Sequence, residues 1–163
     1  MTAHHGFGAT LVGLAVLIQR RHAQICAEHD LTPAQAQLLC MIKDQPRGMT
    51  ELAQLMGLAK PGLSGLVDRA ERRGLVCRNN SGYDRRAVTL STTPLGKDAI
   101  EALFADVSDR LPDILEGLSA QDRHLFEHLV NAVAATAGVP LHVGGRGDCG
   151  DRDESTATAC GDC

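Results

Sequence analysis

The sequence predicts a mainly α-helical protein with one small β-hairpin set into it. Three observations carry this expectation. Apolar residues recur at helical spacing over most of the chain, and capping signals stand where helices would begin. One stretch, Ser81 to Ser91, breaks the pattern with turn residues and a short alternating run.

The first helix is read from Leu11, Leu14, Ile18 and Ile25, with Val12 and Ala15 widening the stripe, and it should run to about His29. Its first half is too apolar to stand alone in water. Thr32-Pro33-Ala34-Gln35 starts the next helix: Thr caps, Pro suits the first helical position and Gln35 completes a capping box. Leu38, Leu39 and Ile42 should point inward, and the helix should stop near Gln45-Pro46, because proline disfavours helix in the residue before it. A short helix follows from Thr50 as cap, with Leu52, Leu55 and Met56 as its apolar face and Gly57 as its left-handed end. Another begins near Lys60-Pro61, buries Leu63, Leu66, Val67 and Ala70, and closes at Gly74. Two short helices joined by a glycine turn form a helix-turn-helix, whose second helix can enter a major groove.

Leu75 to Arg78 then reads as a strand, Asn79 to Asp84 as turn and Ala87 to Ser91 as the returning strand. A two-stranded ribbon directly after a helix-turn-helix is a wing. A long helix follows from Thr93-Pro94 through Ala99, Ile100, Leu103 and Val107. A last one starts near Ser119 and carries Leu125, Leu129 and Val133 on one face. Past Pro140 the apolar pattern ends, and the remaining residues read as a flexible tail with no internal repeat.

Composition narrows the class. In 163 residues, aromatics make up 2% with no Trp, so the core must come from aliphatic side chains; apolar residues at 44% suffice for a globular fold. No apolar run approaches the about 20 residues of a membrane helix, and the N-terminus lacks a secretory leader's basic region and cleavage site. A cytoplasmic protein is expected. The net charge of -4 argues at first against a polyanionic partner. Its distribution argues the other way: residues 32–97 carry ten basic and five acidic side chains, whereas residues 98–140 carry two and eight. No phosphate-binding glycine loop, nucleophile elbow or His-Glu-x-x-His stands in the chain, so no enzyme is expected.

The segments "MTELAQLMGLAKPGLSGLVDRAERRGLV" (Met49 to Val76) and "DRRAVTLSTTPLGKDAI" (Asp84 to Ile100) resemble the MarR family of winged helix-turn-helix transcription regulators, over roughly residues 8–138. The resemblance implies a winged helix-turn-helix plus a helical dimerisation region, in which the first and last helices of two chains interlock. It divides the chain into an N-terminal arm and dimerisation helix (1–31), a DNA-binding domain (32–97), C-terminal dimerisation helices (98–138) and a Cys/Gly/Asp-rich tail (139–163). The implied function is a ligand-responsive homodimeric repressor on a palindromic double-stranded operator, with no membrane partner. A small-molecule effector would sit between the dimerisation helices and the DNA-binding lobe, and no cofactor is required.

For DNA contact the wing comes first. By the family pattern Arg86 reaches a minor groove, Asp84 orients it and Arg85 touches backbone. Arginine suits both roles, because narrow minor grooves concentrate negative potential. Lys60 and Ser64 fall where the family touches DNA, and Arg69 joins them as a candidate. The positions expected to be exposed on this helix are Lys60, Gly62, Ser64, Gly65, Asp68, Arg69 and Arg72. The chain departs from the family at Pro61, Gly62 and Gly65, and glycine makes no side-chain base contact. Readout should therefore lean on shape and on close backbone approach. Arg69, Arg72 and Arg73 are expected to pair in part with Asp68 or Glu71, or to be solvated.

Sensing residues are harder to read. His22, Cys26 and His29 share a helix face at metal-ligand spacing, and His124 and His128 repeat an i, i+4 pair. The family's zinc sensors carry paired histidines in the helix after the wing, where this chain offers Asp106, Asp109 and Asp113. Interface or surface histidines are the favoured reading, with zinc as the alternative. Cys40 is expected in the core and Cys77 on a strand. Cys149, Cys160 and Cys163 lie in "GDCGDRDESTATACGDC", where exposed thiols could respond to oxidant, although neighbouring carboxylates do not help thiolate form. The rivals are thus a metal- or thiol-sensing regulator of the same fold, and a helical interaction module that does not bind DNA.

Overall fold

A computed structural model describes residues 6–80 and 88–137. In chain order these form α1 (Phe7–Glu28), α2 (Pro33–Ile42), β1 (Arg47–Gly48), α3 (Met49–Met56), α4 (Lys60–Arg72), β2 (Val76–Asn80), β3 (Val88–Thr92), α5 (Pro94–Arg110), a 3₁₀ turn (Leu111–Leu115) and α6 (Ala120–Thr136). The fold class is as expected: helices around one small antiparallel sheet.

The centre is a single aliphatic cluster. Leu38, Leu39 and Ile42 of α2 meet Leu52 of α3, Leu63 and Val67 of α4, Leu90 of β3, and Ile100 and Leu103 of α5, with Ile25 closing it from α1. Each helix presents this cluster with the 3.6-residue stripe its sequence carries. The capping box forms: the Gln35 backbone N–H donates to Thr32 Oγ1 at 3.2 Å, and the Thr32 N–H donates to Gln35 Oε1 at 3.1 Å.

Several boundaries differ, each for a local reason. α2 stops at Ile42 rather than near Pro46, and Arg47 Nε donates to the freed Met41 carbonyl at 2.7 Å. Thr50 is not the cap of α3; Gly48 is, without a side-chain bond, because Arg47 and Gly48 are drawn into the sheet as β1. The buried pair of α3 is Leu52 and Ala53, whereas Leu55 is exposed and Met56 half-buried. Asn79 and Asn80 are strand, not turn, and pair with Thr89 and Val88. The sheet order is β1-β3-β2. The domain division drawn at residue 97 falls inside α5.

Three chain reversals among the described residues use the left-handed region. Gly57 (φ 62°) and Gly74 (φ 69°) end α3 and α4, as expected. Asp30 (φ 56°) does the same after α1, where the Leu31 N–H bonds back to the Cys26 carbonyl at 2.9 Å. A side chain in this conformation crowds the following carbonyl. Asp30→Gly should therefore raise stability by about 0.5–1 kcal/mol, read as a higher urea midpoint at unchanged slope. An equal or lower midpoint would show that Asp30 is not strained there.

α1 and α6 are unlike the other helices. Phe7, Leu11, Val12, Val16 and Leu17 of α1 are exposed, and α6 buries no residue at all; Leu125, Leu129, Val130 and Val133 stand in solvent. Ser119 caps α6 as expected, accepting from the Asp122 N–H.

Candidate nucleic-acid interface

α3 and α4 form the helix-turn-helix, and α4 presents its outer face to solvent. Leu63, Leu66, Val67 and Ala70 anchor the inner face. Lys60, Gly62, Asp68, Arg69 and Arg72 are exposed as expected, but Ser64 and Gly65 are half-buried. No packing demands the two glycines. A Cβ at Gly62 would meet nothing within 4 Å, and one at Gly65 would meet only the Arg69 guanidinium at 3.5 Å. The first half of α4 is thus a nearly bare helix surface at its outer edge.

Among the described residues, Arg78 ties the wing base to α4. Arg78 of β2 donates to Asp68 Oδ1 at 2.5 Å and to Glu71 Oε2. Of the two readings left open for Arg69, Arg72 and Arg73, pairing with those carboxylates does not occur, and Arg69 and Arg72 are exposed to solvent. Arg73 instead donates to Gln35 Oε1 at 3.1 Å, and Arg69 and Arg72 make no ion pair among the described residues. Across the wing, Asn79 Nδ2 donates to Ser91 Oγ at 2.5 Å. Asp84, Arg85 and Arg86 lie outside the described residues, between Asn80 and Val88. The sequence did not single out Arg78, because its partners lie on a helix that only the fold brings beside the strand.

The sensing candidates separate. His22 Nε2 lies 3.5 Å from Cys26 Sγ, and Cys26 is fully buried. Burial pushes the Cys26 thiol up and the His22 imidazole down from their ordinary pKa values, which favours the neutral forms. His29 does not join them: its Nε2 contacts Asp106 Oδ2 at 2.9 Å. That hydrogen bond, followed by the one from Arg110, holds the Asp106 carboxyl below the usual range, and Arg110 does the same to Glu28. With Arg21 to Asp113 at 2.9 Å, these bonds clasp α1 to α5 and the 3₁₀ turn that follows it. Asp113 belongs to that turn and not to the helix after the wing. His124 and His128 are exposed, and among the described residues no group of three or more His, Cys, Asp or Glu is placed to hold a metal. Cys40 is half-buried rather than core. Cys149, Cys160 and Cys163 lie outside the described residues.

Cys40 instead faces a cavity of about 530 Å³ between the long helices and the helix-turn-helix. His22 of α1, Met41 of α2, Arg47 of β1, Leu55 of α3 and Leu103 and Phe104 of α5 line it. Exposed Leu55, which the sequence placed in the core, is one of its walls. No helix among the described residues is long and apolar enough to cross a membrane.

Comparison with known proteins locates this arrangement. Residues 29–87 match the model of the MarR family. The chain is similar to the transcriptional repressor CouR, solved bound to a 23-mer DNA duplex: identity is 28% over 81% of this chain and 92% of that one, with a TM-score of 0.68. A mutant MarR from E. coli matches at 23% identity, covering 78% of this chain and 96% of that one, with a TM-score of 0.72. YusO from Bacillus subtilis matches at 24% identity over 77% and 90%, with a TM-score of 0.64. The family match lies on the helix-turn-helix and the start of the wing, and the flanking helices take the fold of these solved structures: the chain has a winged helix-turn-helix fold whose residues 29–87 match the MarR family.

Proposed function

We propose that the protein is a sequence-specific DNA-binding transcription regulator, a cytoplasmic homodimeric repressor rather than an enzyme. The observation that carries this is α4: a helix anchored on one side, exposed on the other, and flanked by a wing that Arg78 ties to it. The likeness to CouR, a repressor solved on DNA, supports the same reading. Lys60 and Ser64 meet the major groove. Asp84, Arg85 and Arg86 serve the adjacent minor groove and backbone. Few side chains on α4 can read base edges, so deformable steps in the operator carry part of the specificity.

The dimer follows from α1 and α6. Exposed aliphatic side chains in such number on two helices call for burial, and two-fold pairing of like surfaces is the commonest solution. Two recognition helices then face half-sites about one helical turn apart. Because an isologous interface meets each substitution twice, Leu129→Asp combined with Val133→Asp should convert dimer to monomer in sedimentation equilibrium and abolish operator binding. A dimer that persists would place the interface elsewhere.

The cavity between α1, α5 and the helix-turn-helix suits a small, largely apolar effector with one polar group for Arg47. Its volume lies within the range of ligand sites. Occupancy would bias the spacing of the two recognition helices. Zinc or thiol triggering through the first helix is the weaker reading, since His29 is engaged by Asp106 and Cys26 is buried. The decisive experiment is the salt dependence of binding to duplex DNA. A regulator loses affinity steeply with salt as it releases counterions, whereas an interaction module that does not use DNA shows no such slope.

A further inference from the structure

Positive charge gathers at a second place, away from the wing. Arg69, Arg72 and Arg73 line an open concavity of about 460 Å³ between the second half of α4 and the start of α2. Arg73 is steadied by Gln35, itself almost fully buried and part of the capping box. Arg69 and Arg72 find no carboxylate among the described residues, because the two acids of α4, Asp68 and Glu71, are held by Arg78. Among the residues that line it, Asp30 is the one acid, so three arginines border the hollow beside a single carboxylate. The leading N–H groups of α2 are not the attraction: Pro33 has none, and those of Thr32 and Gln35 are spent within the capping box. Arginines gathered around one hollow, two of them without a carboxylate partner among the described residues, suit the binding of an oxyanion.

The shape and position select which oxyanion. The hollow is too wide and open to close over a free phosphate, yet it readily admits one carried on a chain. Arg72 stands eight residues beyond Ser64 on the same helix, about 12 Å along its axis. The major groove is about 12 Å wide. A helix that enters the groove near Ser64 therefore sets Arg72 against the sugar-phosphate backbone bordering it. We propose that this arginine-lined hollow holds a backbone phosphate of the bound duplex and acts as a contact that does not read sequence. The proposal rests on the DNA-binding reading above and adds a site to it.

The test follows binding of a mixed-sequence duplex across a salt series, for wild type and for Arg69→Gln, Arg72→Gln and Arg72→Lys, with melting temperatures measured alongside. Each lost phosphate contact should lower the slope of log affinity against log salt by about 0.9. Arg72→Gln should show that loss per subunit with an unchanged melting temperature, Arg69→Gln should behave alike, and Arg72→Lys should keep the wild-type slope. Unchanged slopes in both glutamine variants, while Arg85→Gln/Arg86→Gln still loses affinity, overturn the proposal and leave the DNA reading intact. Wild type without salt-dependent binding overturns both. A final arm adds inorganic phosphate without DNA. If phosphate raises the melting temperature of wild type but not of Arg69→Gln/Arg72→Gln, and the DNA slopes do not move, the hollow belongs to a free anion and the proposal fails.

Discussion

Gly96→Ala is expected to cost about 3 kcal/mol or more of folding stability, a large share of the about 5–15 kcal/mol that holds a domain together. Gly96 lies in the first turn of α5, where the helix crosses the exit from α4. A Cβ there would stand 1.9 Å from the Leu75 carbonyl oxygen and 2.9 Å from its carbon, both backbone atoms. No rotamer relieves such a clash; the helix and the strand must part. Parting them strains the Thr93 N–H bond to the Leu75 carbonyl at 3.1 Å and the Thr93 hydroxyl bond to the Gly74 carbonyl at 2.5 Å. The melting temperature should fall by roughly 10 °C, at about 2–4 °C per kcal/mol for a chain of this size. A variant melting within about a degree of wild type would mean that α5 does not approach the Leu75 backbone, just before β2, as closely as described.

Among changes that leave the proposed dimer intact, neutralising the wing should have the largest effect on binding. Arg85→Gln combined with Arg86→Gln should weaken operator affinity roughly a hundredfold, about 3 kcal/mol, since charged hydrogen bonds to phosphate or groove each contribute about 1.5–3 kcal/mol. The proposed dimer would present the pair twice, which adds to the loss. The melting temperature should stay where it is if the pair acts on DNA alone. Electrophoretic mobility shift at fixed salt measures the change, and unchanged affinity would remove the wing from the interface. Asp84→Asn offers a subtler comparison: if the carboxylate orients Arg86, its loss should lower affinity by less than the double change does.

What the sequence made legible was local. The stripes of α2 and α4, the Thr32–Gln35 capping box and the left-handed glycines after α3 and α4 are each decided within a few residues, so periodicity and capping chemistry sufficed. β1 escaped notice because two residues cannot alternate; Arg47 and Gly48 become strand only when β3 offers its edge. Leu55 was misplaced because a short helix with three candidate apolar residues leaves its orientation to the neighbours it meets. The arginines show the same limit. Their charge was visible along the chain, but the preference of Asp68 and Glu71 for Arg78 depends on the strand returning beside α4. His22, Cys26 and His29 share a helix face on paper, yet α5 supplies Asp106 and draws the third away.

One helix leaves a thermodynamic mark. α6, seventeen residues without a single fully buried side chain, gains little from its own subunit's core, and an isolated helix of that length is marginal in water. In the proposed dimer, its order would be lent by the sister subunit. Folding and association become one equilibrium, and dilution alone loosens the molecule. A cell that makes less of this protein holds a larger share of it with that helix frayed, so abundance itself sets how much is competent.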